Sequence, residues 1–102
     1  MDKPKIKIVI VEDHPIFRQG VGDVLSLEDD FEIVGYAESG EEGLQIITQM
    51  LPDIALVDVN LPGMNGKELA LKVSLAKLKT KLILLTAESN SYQIYHAMHF
   101  NV

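Results

Sequence analysis

Cysteine and tryptophan are absent from this 102-residue chain, and phenylalanine and tyrosine occur three times each. Without cysteine there are no disulfides, no thiolate metal sites and no cysteine nucleophile, which agrees with a reducing compartment. No apolar run approaches the roughly 20 residues needed to cross a bilayer. The N-terminus, Met1-Asp2-Lys3-Pro4-Lys5, leads straight into a β-favouring stretch rather than the apolar core of a signal peptide. The chain therefore reads as cytoplasmic, with no membrane partner. Neither a glycine-lysine phosphate loop nor a G-x-G-x-x-G pattern is present, which argues against nucleotide binding. Basic residues are scarce where acids are dense: residues 11–66 hold twelve Asp or Glu and only Arg18 as a base. Direct nucleic-acid binding by this segment is not expected, because phosphate contacts need a basic face. Five lysines, at 67, 72, 77, 79 and 81, follow within fifteen residues and read as a solvated helix surface and loop.

What is present is the composition of one soluble domain, 47% hydrophobic and 24% charged, spanning residues 1–102. Ile6 to Val11 is a β-favouring apolar run ending in Glu12-Asp13. Asp13 is placed to cap a helix that tolerates Pro15 in its first turn and carries Phe17, Val21, Val24 and Leu25 on one face. Glu28-Asp29-Asp30 makes a loop, and Glu32 to Ala37 is a second, more polar strand suited to a sheet edge. Ser39 with Glu42 forms a capping box for a helix with Leu44, Ile47 and Leu51 inward, stopped by Pro52. Residues 54–58 are a third strand, and Pro62-Gly63 forces a turn. Asn65 or Gly66 starts a helix with Leu69, Ala70, Val73 and Ala76 inward. A fourth strand precedes Thr86, and from Ser91 the spacing of Ile94, Ala97 and Met98 predicts a final helix. Strands alternating with helices imply an α/β fold, a doubly wound parallel sheet with right-handed crossovers.

Three buried strands thus end in oxygen-bearing side chains: Glu12 and Asp13 after the first, Asp58 at the end of the third, Thr86 after the fourth. In an open parallel sheet those ends share one edge, where ligands bind at the switch point between strands leading to opposite sides. A lone Asp after a strand ordinarily bonds the backbone of the following loop. The convergence of three carboxylates points further, since they repel unless a cation neutralises them. With only oxygen donors, including the backbone carbonyl of Asn60, that cation is hard: Mg²⁺ first, then Mn²⁺ or Ca²⁺. A metal, a carboxylate and a hydroxyl suit phosphoryl chemistry, in which Asp58 becomes an acyl phosphate and Thr86 bonds a phosphoryl oxygen. His14, His96 and His99 read as ordinary histidines.

The chain resembles the receiver domain of two-component response regulators. Glu12-Asp13 resembles its acidic pair, Asp58 its phosphoacceptor, Asn60 its carbonyl ligand, Pro62-Gly63 and Gly66 its active-site loop, and Thr86-Ala87 its switch hydroxyl and small neighbour. Within the family, Val11-Glu12-Asp13-His14-Pro15 followed by Phe17-Arg18-Gln19-Gly20 is most similar to regulators with a LuxR-type helix-turn-helix output domain. The resemblance implies a flavodoxin-like strand order 2-1-3-4-5 and phosphorylation of Asp58 by a histidine kinase with Mg²⁺. It also implies a signalling protein rather than an enzyme, a downstream DNA-binding output regulating transcription, and phosphoryl-proximal positions at Asn60, Ala87 and Glu88. The family's fifth strand with its lysine, and its fifth helix, have no match in this chain, so the expected order is 2-1-3-4 with an open, apolar fourth strand. That edge makes pairing between copies, and so a homodimer, an expectation. Two other readings compete. A pseudo-receiver would use the same fold for protein interaction without phosphorylation; a dehalogenase-type phosphatase would need an acid where Asn60 stands and leaves Glu12-Asp13 without a role.

Overall fold

The structure, a computed structural model, describes residues 4–86 and 93–96, residue 86 and residues 93–96 by their backbone. Along the chain run β1 (Ile6–Val11), α1 (Pro15–Leu25), β2 (Phe31–Ala37), α2 (Gly40–Met50), β3 (Ile54–Asp58), α3 (Gly66–Leu75), β4 (Lys81–Thr86) and β5 (Gln93–His96). They build one sheet of order β2-β1-β3-β4-β5. The first four strands are parallel, as the strand-helix alternation requires. β2 lies at the edge, and a bulge at the step from Ile8 to Val9 shifts its register.

The parallel registers line up Val9 with Ala55 and Val11 with Val57, then Ala55 with Leu82 and Val57 with Leu84. All six are buried with Ile47 of α2 and Leu69, Ala70 and Val73 of α3, which cover this face. α3 starts where expected, at a reciprocal capping box between Asn65 and Glu68. The start of α2 differs in one bond. Ser39 accepts from the Glu42 amide, but the Glu42 carboxylate accepts from Glu38 N, one residue earlier than a reciprocal box requires. Leu51 is not inward: it is the left-handed C-cap of α2, with its side chain exposed, and the buried Pro52 follows. Ala76 likewise caps α3 and is exposed. At the far end of the sheet the buried Thr80 hydroxyl donates to the Pro52 carbonyl at 2.6 Å.

On the opposite face Ile8 and Ile10 are buried, at 3% and 2% exposure. α1 docks there more narrowly than its apolar spacing suggests. Its buried residue is Gly22, where an added Cβ would meet the Tyr36 hydroxyl at 2.5 Å. Phe17 and Val24 lie roughly 140–160° around the helix from Gly22 at 100° per residue, and they are 40% and 65% exposed. The stripe read from the sequence thus coincides with the docking face only in part, Val21 and Leu25 being half-buried while Phe17 and Val24 are exposed; the missing side chain of Gly22 sets the docking line. Nor is α1 capped by Asp13. His14 is the N-cap residue, with Pro15 in the first turn.

The largest difference from the expectation is at β4. Residues 93–96, expected within a final helix, form a strand antiparallel to β4, pairing Leu84 with Tyr95 and Leu85 with Ile94. An apolar strand with one unpaired edge offers a row of N–H and C=O groups, and satisfying them outweighs a helical spacing of only a few residues. Ala97 and Met98 lie outside the described residues. The double replacement Ile94→Pro and Tyr95→Pro removes two adjacent amides, one of which faces β4. Exchange of the Leu84 amide, which faces β5, should then quicken about fivefold for a lost bond worth about 1 kcal/mol, and light scattering should detect association through the freed edge. Unchanged exchange would mean β5 does not cover it.

Candidate functional site

Register puts the acids together. Because Val11 pairs with Val57, Glu12 and Asp13 leave β1 at the level where Asp58 ends β3. Donor atoms of Glu12, Asp13, His14 and Asp58 lie within 4.8 Å of one another. On the other side of Asp58, its pairing with Leu85 of β4 places the Thr86 backbone one residue further along the same edge. Ala87 and Glu88 lie outside the described residues.

The loops around this edge are tied to one another. Glu12 is buried, 5% exposed, and its Oε2 accepts from both His14 N at 2.9 Å and His14 Nδ1 at 2.7 Å. The Arg18 guanidinium donates to the Glu12 carbonyl at 2.9 Å and lies 3.5 Å from Glu38, linking the first loop to the one before α2. Asp58 Oδ1 accepts from Asn60 N at 3.1 Å, the local turn bond that an Asp in this position makes even without a ligand. Beyond it, Gly63 has a left-handed φ of 68°, and Met64 N donates to Glu41 Oε2 at 3.2 Å, so the turn rests on the start of α2. Gly66 lets α3 begin against the strand end: its N–H donates to the Val59 carbonyl, and a Cβ there would meet the Asp58 carbonyl oxygen at 2.5 Å.

The electrostatics follow from this crowding. Burial pushes the Glu12 carboxyl up from its ordinary value, the bonds from His14 oppose that, and the charge of Asp58 adds to it. His14 is raised as well, first by its bond to Glu12 and then by the charges of Asp13 and Glu12. Asp13 Oδ1 is buried without a hydrogen-bond partner; His14 Nδ1 lies 3.3 Å away but directs its bond to Glu12.

Three contributors were not legible as such. His14, read as an ordinary histidine, sits in the carboxylate cluster, and its place directly after Glu12-Asp13 was the available signal. Arg18, four residues on, returns along α1 to the same loop. Lys67, read as part of a solvated surface, lines a cleft of about 670 Å³ together with Asp13 and Asn60. His96 lies in β5, and His99 is outside the described residues.

Among the described residues no helix is long and apolar enough to cross a membrane. The family model for the response regulator receiver domain matches residues 8–102. The chain is 38% identical over 94 residues to the probable transcriptional regulatory protein NarL of Mycobacterium tuberculosis, covering 92% of this chain and 44% of that protein. It is 32% identical over 98 residues to the transcriptional regulatory protein DegU of Brevibacillus brevis, covering 96% and 42%. The chain thus spans less than half the length of these relatives. A protein-glutamate methylesterase/protein-glutamine glutaminase of Syntrophus aciditrophicus is also 38% identical, over 82 residues that cover 80% of this chain and 23% of that one. Among solved structures, the receiver domain of the M. tuberculosis NarL regulator superposes with a TM-score of 0.83 at 39% identity, covering 85% of this chain and 70% of that one. Its fold, the order of its parallel strands and its match to this family model agree, and the chain belongs to the response regulator receiver domain family.

Proposed function

We propose that this chain is a phosphorylation-controlled receiver in which Asp58 accepts a phosphoryl group from a histidine kinase in the presence of Mg²⁺. The observation that carries the reading is the convergence of Glu12, Asp13 and Asp58 at one sheet edge. The donor set fits a hard divalent cation: the acids offer oxygens, and Asp13 Oδ1 is buried with no hydrogen-bond partner to offset its desolvation. In this reading Asp13, Asp58 and the Asn60 backbone carbonyl hold the ion, with Glu12 beside them. Once bound, it supplies positive charge against the phosphoryl oxygens.

The chain's own groups do the rest. The Asn60 amide fixes the rotation of the Asp58 carboxylate. His14 and Arg18 hold Glu12 and its loop. The loop bearing Asn60 is braced by Glu41 and by the close seat of Gly66. Thr86, at the end of β4, gives a hydroxyl to the phosphoryl group, and its movement carries the state to an output surface; Ala87 leaves room and Glu88 tunes phosphoryl lifetime. The relatives named as transcriptional regulators favour a DNA-binding output domain as partner. A homodimer is a further partner in this reading, and cytoplasmic location follows from it.

Incubation with Mg²⁺ and acetyl phosphate should add one phosphoryl group to the intact mass, and Asp58→Asn should take none. No added mass, or addition that survives Asp58→Asn, favours the pseudo-receiver instead. Mg²⁺ at about 100 times its dissociation constant should stabilise the fold by about 2.7 kcal/mol, seen as a rise in Tm, and Asp13→Ala should remove most of that shift. The metal-free protein should also depend on pH. Glu12 and His14 are raised from ordinary values of 4.5 and 6.5, so their stabilising protonated forms are fully present below those values and lost as pH rises through the raised ones. Tm should fall with rising pH above these values, and Glu12→Gln should flatten the decline, because it removes both the buried acid and the partner of His14.

A further inference from the structure

We infer that Lys67 is the cation that receives the phosphodonor at the mouth of the site, holding its phosphoryl oxygens over Asp58. The inference rests on Asp58 being the phosphoacceptor and goes beyond it by naming a substrate-binding residue on α3. An incoming dianion faces a difficulty here. Glu12, Asp13 and Asp58 converge, and residues 11–66 carry twelve acids against Arg18 alone. Arg18 is already engaged with the Glu12 carbonyl and Glu38. Lys67 lines the cleft that also contains Asp13 and Asn60, the latter two residues beyond Asp58. Among the described side chains lining that cleft, it is the one that carries positive charge.

Its position in the helix argues the same way. Lys67 is the second residue of α3, where the helix dipole disfavours a cation. The adjacent Glu68 is committed to the capping box, and among the described residues no ion pair forms at Lys67. An exposed lysine set against the dipole, beside an acidic site, is explained by an anion that arrives there. Its ammonium is a compact charge with three donors on a flexible stem, suited to phosphoryl oxygens without requiring one fixed geometry. With acetyl phosphate the step balances without a proton. An Asp58 carboxylate oxygen bonds to phosphorus, the bond from phosphorus to the acetyl oxygen breaks, and acetate leaves with the electron pair.

The test compares wild type, Lys67→Ala, Lys67→Arg and Asp58→Asn with acetyl phosphate and saturating Mg²⁺, following intact mass over time. Lys67→Ala should lower the second-order rate about tenfold, through electrostatic attraction of the donor. Lys67→Arg should retain most of the rate. Added salt should slow wild type more than Lys67→Ala, since the screened interaction is gone from the variant. The same variant should bind Mg²⁺ more tightly, by calorimetry, because a neighbouring positive charge has been removed. A merely structural lysine would not move these two quantities in opposite directions. If wild type is phosphorylated and Lys67→Ala matches it in rate, salt dependence and Mg²⁺ affinity, the role of Lys67 is overturned and the phosphoacceptor reading stands. If wild type gains no mass at all, the phosphoacceptor reading itself fails, and the role of Lys67 with it.

Discussion

Mutual repulsion among carboxylates held at one sheet edge is the constraint on which this structure turns. Parallel pairing of β1 with β3 sets the backbones of Glu12, Asp13 and Asp58 side by side, in the same register that buries Val9, Val11, Ala55 and Val57. The core thus holds the charges where they repel. Such strain is tolerable when neighbouring groups share it. Here His14 places two nitrogens on Glu12, and the Asn60 amide takes one oxygen of Asp58. Asp13 keeps a buried oxygen without such a partner.

Close backbone approaches and side-chain hydrogen bonds together seat the loops around the site. Two glycines allow approaches to backbone that a Cβ would forbid, Gly66 against the Asp58 carbonyl and Gly40 against the Met64 carbonyl, and Gly63 supplies the left-handed turn beside the Glu41 carboxylate. Through them the loop after β3 is held between the starts of α2 and α3. Substituting alanine at Gly40 or Gly66 would press a methyl group into backbone, which has little freedom to move aside. The seat of α1 on Tyr36 obeys the same rule at Gly22, although there the obstacle is the tip of a side chain.

The two faces of the sheet are unequally covered. α2 and α3 bury one face completely across β1, β3 and β4, whereas α1 serves mainly the β1 and β2 side of the other. Leu56, Ile83 and Leu85 are consequently only half-buried. At the β4 edge, antiparallel pairing by Gln93–His96 supplies the hydrogen bonds that an open strand would otherwise lack. The sequence was read as lacking a fifth strand, and a parallel one would need a crossover helix to reach the β4 edge. An antiparallel strand needs only a short connection, so it is the arrangement open to a segment so close in sequence to β4.

Local periodicity and punctuation determined most of the architecture. Apolar runs marked four strands, Asn65 or Gly66 marked the start of α3, and Pro62-Gly63 marked the turn beyond Asp58, because each depends on near neighbours in the chain. The same pattern placed Glu12, Asp13 and Asp58 at strand ends, so the acidic site was legible once a parallel sheet was assumed. Only the tertiary structure decided which side of α1 docks, since that depends on Gly22 meeting Tyr36 from another element. The partner of β4 was likewise settled by edge hydrogen bonding rather than by the spacing of Ile94 and Met98. The places of His14, Arg18 and Lys67 depended on where long side chains reach after helices are set on the sheet. Sequence spacing records which residues share a helix face or strand end; it does not record what those side chains meet across the fold, and that meeting is what brings these three to the site.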